Sequence, residues 1–178
     1  LDPESGHILW KTRPCDISRP PSCTNNILLV SIREGSQAEK IIAFNLSDGS
    51  IKWSLNKSIL NLSLTHDLSV HEKFSILNAT ITSTDNKKQT VLARINNETG
   101  KIEWEHILEE PITRPLLTSS FLYTLGTQHH QTLVYDVLTG DRVPHTPADK
   151  ELQQIIVYKS QIIHFYLNNQ QLIIKSFG

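Results

Sequence analysis

Apolar and polar residues alternate along most of this chain with the short period of β-strands, and its apolar runs have strand length. The segments "NNILLVSI" (25–32), "KIIAFNL" (40–46), "FSILNATITS" (74–83), "QTVLARI" (89–95), "SFLYTLG" (120–126), "QTLVYDV" (131–137), "QIIVYKS" (154–160), "IIHFYL" (162–167) and "QLIIKSF" (171–177) are rich in β-branched and aromatic side chains. Polar loops such as "REGSQAEK", "STDNKK" and "GTQHH" separate them at hairpin distances. One piece, "LNKSILNLSLTHDLSVHEK" (55–73), has apolar residues at mixed spacing. It reads as an enlarged loop plus an outer strand, with a helical turn as the alternative.

A turn signal recurs between these strands, centred on Gly6, Gly49, Gly100 and Gly140. Four residues before each glycine stand Asp2, Asn45, Asn96 and Asp136. A side-chain oxygen at that place accepts from backbone N–H groups two residues on, which shapes the turn. Glycine at the end of the turn reaches positive φ without a Cβ clash. Four residues after the glycines stand Trp10, Trp53 and Trp104, which are all three tryptophans of the protein, while the fourth copy has Pro144. The repeat turns therefore span 2–10, 45–53, 96–104 and 136–144. Their glycines lie 43, 51 and 40 residues apart, the period of a four-stranded propeller blade rather than of a two-helix repeat.

"AFNLSDGSIKW" (43–53) and "ARINNETGKIEW" (93–104) resemble the A-x-D/N-x-x-T-G-K-x-x-W signature of pyrroloquinoline-quinone-type, or quinoprotein-like, β-propeller repeats. The resemblance covers nearly the whole chain, residues 1–178, read as one partial domain. It implies an all-β fold of four-stranded antiparallel blades, four to five of them, within a ring of seven or eight. By the same resemblance Trp10, Trp53 and Trp104 dock between neighbouring blades against the turn of the next. After Pro144 two or three strands with a turn at Asn168–Asn169 form an unfinished blade, so further chain or a partner is expected to cover its edges.

Chemistry is sparse. Quinoprotein dehydrogenases bind a quinone and calcium at the ring centre beside a catalytic Asp, often with adjacent cysteines. Here no cysteines are adjacent, and Asp2 and Asp136 are already explained by turn geometry. No catalytic residue, cofactor or metal is expected. Among eight histidines, His129 and His130 fall in a hairpin loop, and His66 and His71 lie five apart in the enlarged loop; neither pair has a third ligand at close spacing. No Gly-x-Ser-x-Gly stretch or phosphate-binding glycine loop occurs. With 18 acidic against 17 basic residues and no basic cluster, nucleic acid is not expected as a partner.

Location rests on two features. Cys15 and Cys23 flank a Pro-rich loop and form either a small disulfide ring or two thiols that never meet. Asn-x-Ser/Thr occurs at Asn45, Asn56, Asn61, Asn78 and Asn97, with Asn45 the poorest acceptor because its side chain is needed in the turn. A secretory-pathway lumen, the endoplasmic reticulum included, or an extracellular setting follows, with the bacterial periplasm as the alternative. The opening "LDPESG" has no charged segment before an apolar one, and no apolar run approaches the roughly 20 residues that span a bilayer. The first residues already belong to a repeat, as in a segment excised from something longer.

The function expected is a non-catalytic propeller scaffold that mediates protein–protein contacts in a larger, membrane-associated assembly. Its partners would be other proteins or remaining blades of the same chain. The alternatives are a fragment of a quinoprotein-like dehydrogenase and the sensor propeller of a membrane receptor that dimerises through an open sheet edge.

Overall fold

The computed structural model describes residues 8, 10–12, 16–24, 26–34, 38–56, 62–64, 68–82, 88–108, 110–129, 131–144, 152–158, 161–168 and 171–177. Asp2, Gly6, Cys15, Asn61, His66 and His130 lie outside them. The chain is all-β, and its strands form four antiparallel sheets in sequence order. The first holds β1 (Asp16–Ile17), β2 (Ser22–Cys23), β3 (Ile27–Glu34), β4 (Ala38–Asn45) and β5 (Ile51–Asn56), ordered β1-β3-β4-β5 with β2 also on β3. The second holds β6 (Leu62–Leu64), β7 (Ser69–Val70), β8 (Phe74–Thr82), β9 (Lys88–Asn96) and β10 (Ile102–Leu108), ordered β10-β9-β8-β6 with β7 also on β8. The third runs β11 (Leu116–Leu117), β12 (Phe121–Gly126), β13 (Gln131–Asp136), β14 (Arg142–Val143). The fourth has three strands, β15 (Leu152–Tyr158), β16 (Gln161–Asn168) and β17 (Gln171–Phe177).

Residues 55–73 were expected to hold an enlarged loop plus an outer strand, and part of the segment lies outside the described residues. Among its described residues, β6 and β7 pair with β8 at the edge of the second sheet opposite β10, and no helical turn is seen there. That segment opens its sheet instead of closing one, which its mixed spacing could not reveal.

Burial separates central strands from edge strands. In β4, Ile41 through Phe44 are all buried, and so are Thr132 through Tyr135 in β13. Such strands are covered on both faces, so they read as continuous apolar runs. β10 instead alternates between half-buried and exposed residues, as an edge strand with one covered face does.

Each sheet packs on the next. Ile27, Leu29, Ile41 and Ala43 of the first sheet meet Leu77, Val91, Ala93 and Ile95 of the second. Ile76 and Leu92 on the second sheet's other face meet Leu122, Leu133 and Tyr135 of the third. Within β9, Ala93 and Ile95 thus face back to the first sheet while Leu92 and Arg94 face forward to the third.

A one-residue irregularity controls which way the tryptophans point. In β10, Ile102 pairs with Ile95 but Trp104 pairs with Arg94, leaving Glu103 as an extra residue. Without that bulge Trp104 would stand opposite Ala93 and face backwards, because a shift of one residue exchanges the faces of a strand. β5 repeats the device: Ile51 pairs with Phe44 and Trp53 with Ala43. β14 lacks it, with Arg142 opposite Tyr135 and Val143 opposite Val134. There Val143 occupies the forward-facing register position, and Pro144, which has no N–H for the ladder, follows the strand.

Deleting Glu103 is therefore expected to cost far more than Glu103→Ala. The substitution removes a partly exposed ion pair to Arg94 and a hydrogen bond accepted from the Asn96 amide at 2.9 Å, together worth about 1–2 kcal/mol. The deletion turns a large side chain out of its site and is expected to cost about 3–5 kcal/mol or to abolish folding, read by urea unfolding.

Candidate functional site

The conserved use of turn, glycine and tryptophan within the chain builds three joints between neighbouring elements. In the turn after β9, the Asn96 side chain accepts from the N–H groups of Glu98 (2.9 Å) and Thr99 (3.0 Å). Asp136 does the same for Leu138 (2.7 Å) and Thr139 (3.0 Å) after β13. The first copy differs from the sequence expectation. Asn45 donates its amide to Ser50 Oγ at 2.7 Å, and it is Asp48 that accepts from the Ser50 N–H at 2.9 Å. The three turns close alike, with the glycine N–H donating to the carbonyl four residues back at 2.8–2.9 Å. Gly49, Gly100 and Gly140 have φ of 72°, 71° and 78°, in the left-handed region that favours glycine.

Absence of a side chain also makes room for an indole. A Cβ on Gly49 would stand 2.5 Å from Trp10 Cδ2, one on Gly100 2.6 Å from Trp53 Cδ2, and one on Gly140 2.8 Å from Trp104 Cδ2. Each indole N–H donates to a carbonyl of the turn it covers: Trp10 to Leu46 (2.9 Å), Trp53 to Asn97 (2.7 Å) and Trp104 to Val137 (2.9 Å). Every tryptophan thus reaches forward to the next repeat's turn. The turn at 136–140 consequently has its tryptophan, Trp104, and the Trp-to-Pro change at 144 bears on the following joint.

Charged groups reinforce two joints. Lys52 pairs with Glu98 at 2.6 Å across the second. At the third, Arg94 lies 4.3 Å from the Phe74 ring centroid, donates to the Val137 carbonyl at 2.9 Å and pairs with Glu103 at 2.8 Å. His106 lies between Trp104, to which its ring is tilted, and Tyr135, on which it stacks, with centroids 5.5 and 6.4 Å away.

Asn97 and Asn78 are both buried in this fold. Asn97 is 3% exposed; its amide nitrogen donates to the His71 carbonyl at 2.7 Å and its oxygen accepts from Ser75 Oγ at 2.6 Å. It ties the turn to the β7–β8 connection, so its nitrogen is engaged on the side away from solvent. Asn78 is 1% exposed in the middle of β8, where a sugar has no room. Asn56 ends β5. Cys23, paired with Leu28 in the sheet ladder, is a free and exposed thiol, and Cys15 lies outside the described residues.

Sequence reasoning missed Glu110. Its carboxylate is buried and accepts from the N–H of Gln128 (2.9 Å), the N–H of His129 (3.1 Å) and Gln131 Nε2 (2.9 Å), with His129 Nδ1 at 3.2 Å. A Cβ on Gly126 would overlap that carboxylate. Burial raises the Glu110 pKa and is the largest single influence, but the hydrogen bonds from Gln131, His129 and Gln128 together outweigh it. They hold the group below its ordinary value of 4.5. His129, a metal candidate by residue type, instead pins the β12–β13 turn to Glu110. Among the described residues no three His, Cys, Asp or Glu side chains stand close enough to hold a metal ion.

Trp53→Ala is expected to destabilise the protein by about 3–5 kcal/mol. Trp53→Phe is expected to cost about 1–3 kcal/mol, since the Asn97 carbonyl then loses its donor in a buried place. Chemical denaturation measures both. For Glu110 the folded pKa lies below the unfolded one, so its stabilisation is present above pH 4.5 and lost as pH falls through the folded value. Unfolding curves at neutral pH and at about pH 3 should show a smaller acid-induced loss for Glu110→Gln than for the parent.

No family model matches the chain, and no curated protein matches it in sequence. Among solved structures it is similar to the computationally designed Ika4 protein, with a TM-score of 0.64 at 11% identity over 97% of this chain and 98% of that one. This is a similarity of fold alone. BamB from Moraxella catarrhalis overlays with a TM-score of 0.42 at 11% identity, over 89% of this chain and 57% of that one. A europium-containing methanol dehydrogenase gives 0.46 at 14% identity, over 69% of this chain and 23% of that one.

Proposed function

We propose that the four sheets are blades of an incomplete β-propeller that acts as a non-catalytic scaffold for protein–protein contacts. The observation that carries this reading is how the polar side chains at the joints are engaged. Asn96, Asn97, Glu110 and Asp136 bind main chain of their own or a neighbouring turn. Arg94 reaches across a joint to do so. The chemistry between the sheets holds one sheet to the next, and recognition falls to the loops at the ends of the strands. One such surface is the shallow cleft over the second joint, lined by Thr24, Ile27, Lys52, Lys73, Asn96 and Glu98. No helix among the described residues is long and apolar enough to cross a membrane.

Cross-linking followed by mass spectrometry on protein from its native source tests the reading. A stoichiometric protein partner linked through Lys52 or Lys73 is expected. A protein that purifies alone, with quinone and calcium detected by absorbance and mass spectrometry, would overturn it in favour of a dehydrogenase fragment.

A secretory-pathway setting now rests on Asn56 and Asn61, since Asn45, Asn78 and Asn97 have their side chains bonded or buried. Glycosidase treatment should shift the native protein's mobility, Asn78→Gln should leave that shift unchanged, and replacing Asn56 and Asn61 together should remove it.

A further inference from the structure

Glycine and tryptophan phase the three joints alike, so equivalent positions can be compared between them. Four places matter: five and nine residues before the turn glycine, two after it, and two after the tryptophan that covers it. At the second joint they hold Ile95, Val91, Ile102 and Leu55, which pack together with Trp53 in one apolar cluster. The first joint is mixed, with Phe44 and Ile51 beside Lys40 and Thr12. At the third joint the same places hold Tyr135, Gln131, Arg142 and His106. Every apolar residue of the second joint is replaced there by one that can form hydrogen bonds.

These four side chains line an open cleft of about 300 Å³ between the outer strands of the second and third sheets, together with Leu108 of β10 and Leu133 of β13. A chain of bonds fixes Arg142 there. Glu110, anchored by the N–H groups of Gln128 and His129, accepts from Gln131 Nε2 at 2.9 Å, and Gln131 Oε1 accepts from Arg142 Nη2 at 3.2 Å. These donors fill the Glu110 carboxylate, whereas among the described residues the guanidinium uses one of its five N–H groups in a hydrogen bond. Tyr135 is 5% exposed. Burial raises the pKa of its hydroxyl above the ordinary 10, while the Arg142 charge lowers it and the Glu110 charge raises it, so the three groups share one field. His106 is the poorest choice for packing alone. Its Nε2 is buried against Gly140 with no partner, a cost that the leucine of the second joint avoids. Local departures of this kind concentrate where a surface is kept for binding.

We propose that this cleft binds a carboxylate presented by a partner polypeptide, as an acidic side chain or as a free C-terminus. The planar guanidinium of Arg142 matches the two oxygens, and the Tyr135 hydroxyl donates a further bond. Leu108 and Leu133 give the methylene stem an apolar wall. Glu110 already has its donors, and Asp141, which also lines the cleft, is exposed, so solvent screens its charge. This deepens the scaffold reading and rests on it, adding a second contact surface and the chemistry that the surface recognises.

The test titrates the isotope-labelled 178-residue chain with three short peptides and follows the backbone amide resonances. The first has a central Glu and an amidated C-terminus, the second a free C-terminus and no acidic residue, and the third no carboxylate at all. Shifts gathered on β10, β13 and β14 are expected with the first or the second and not with the third, and which of the two binds identifies the source. Arg142→Gln, at an exposed site, should weaken that binding about tenfold, the loss of a bond from a charged donor. Tyr135→Phe, which keeps the ring, should weaken it about fivefold. The double variant His106→Leu, Arg142→Ile copies the second joint; it should abolish binding and leave the urea midpoint equal or higher. Three outcomes would overturn the inference: no shifts with any peptide, equal shifts with all three, or a lower midpoint for the double variant, since the polar set would then serve the joint. A partner cross-linked through Lys52 or Lys73 would survive each of them, so the two readings fail separately.

Discussion

An indole lying flat on a glycine in the left-handed conformation is the contact on which the other features of this molecule depend. It can form only if three conditions hold together. The turn must end in a residue with no Cβ, since any side chain would overlap the ring carbons. The strand after the turn must carry one extra residue, so that the tryptophan faces the next sheet and not the previous one. The turn it meets must leave a carbonyl free to accept the indole N–H. Each condition belongs to a different part of the chain, and the contact joins them across roughly a whole repeat.

Polar residues within the sheets serve the same end. Asn97 connects its turn to the start of the next pair of strands, Arg94 bridges the third joint, and Glu110 holds a hairpin to the segment that enters the third sheet. These groups are buried or half-buried and bonded to main chain, where a lone polar atom would be costly. Conversion of a sequon asparagine and a loop histidine into structural pins shows why residue type alone misleads: Asn and His bond backbone as readily as they carry sugars or metals.

Much of the fold was legible because strand signals act locally. The alternating and continuous apolar runs mark β3, β4, β8, β9, β12, β13 and the last three strands, and the turn glycines stand where φ requires them. The short opening strands β6 and β7 were not legible, since two or three residues contain no measurable period. Glu110 left only a faint trace, an acidic pair before a proline, because its partners lie 18–21 residues away. Burial of Asn78 and Asn97 was hidden for a similar reason: a sequon is three residues long, and the covering atoms come from other strands.

The sequence by itself determined the strands, the turn chemistry and the phase of the tryptophans, because each depends on residues within about ten positions of one another. Only the tertiary structure decided which turn each tryptophan covers and which asparagines are sealed from solvent. Those outcomes depend on the stacking of one sheet on the next, and a bulge of a single residue is enough to reverse the face that a side chain presents.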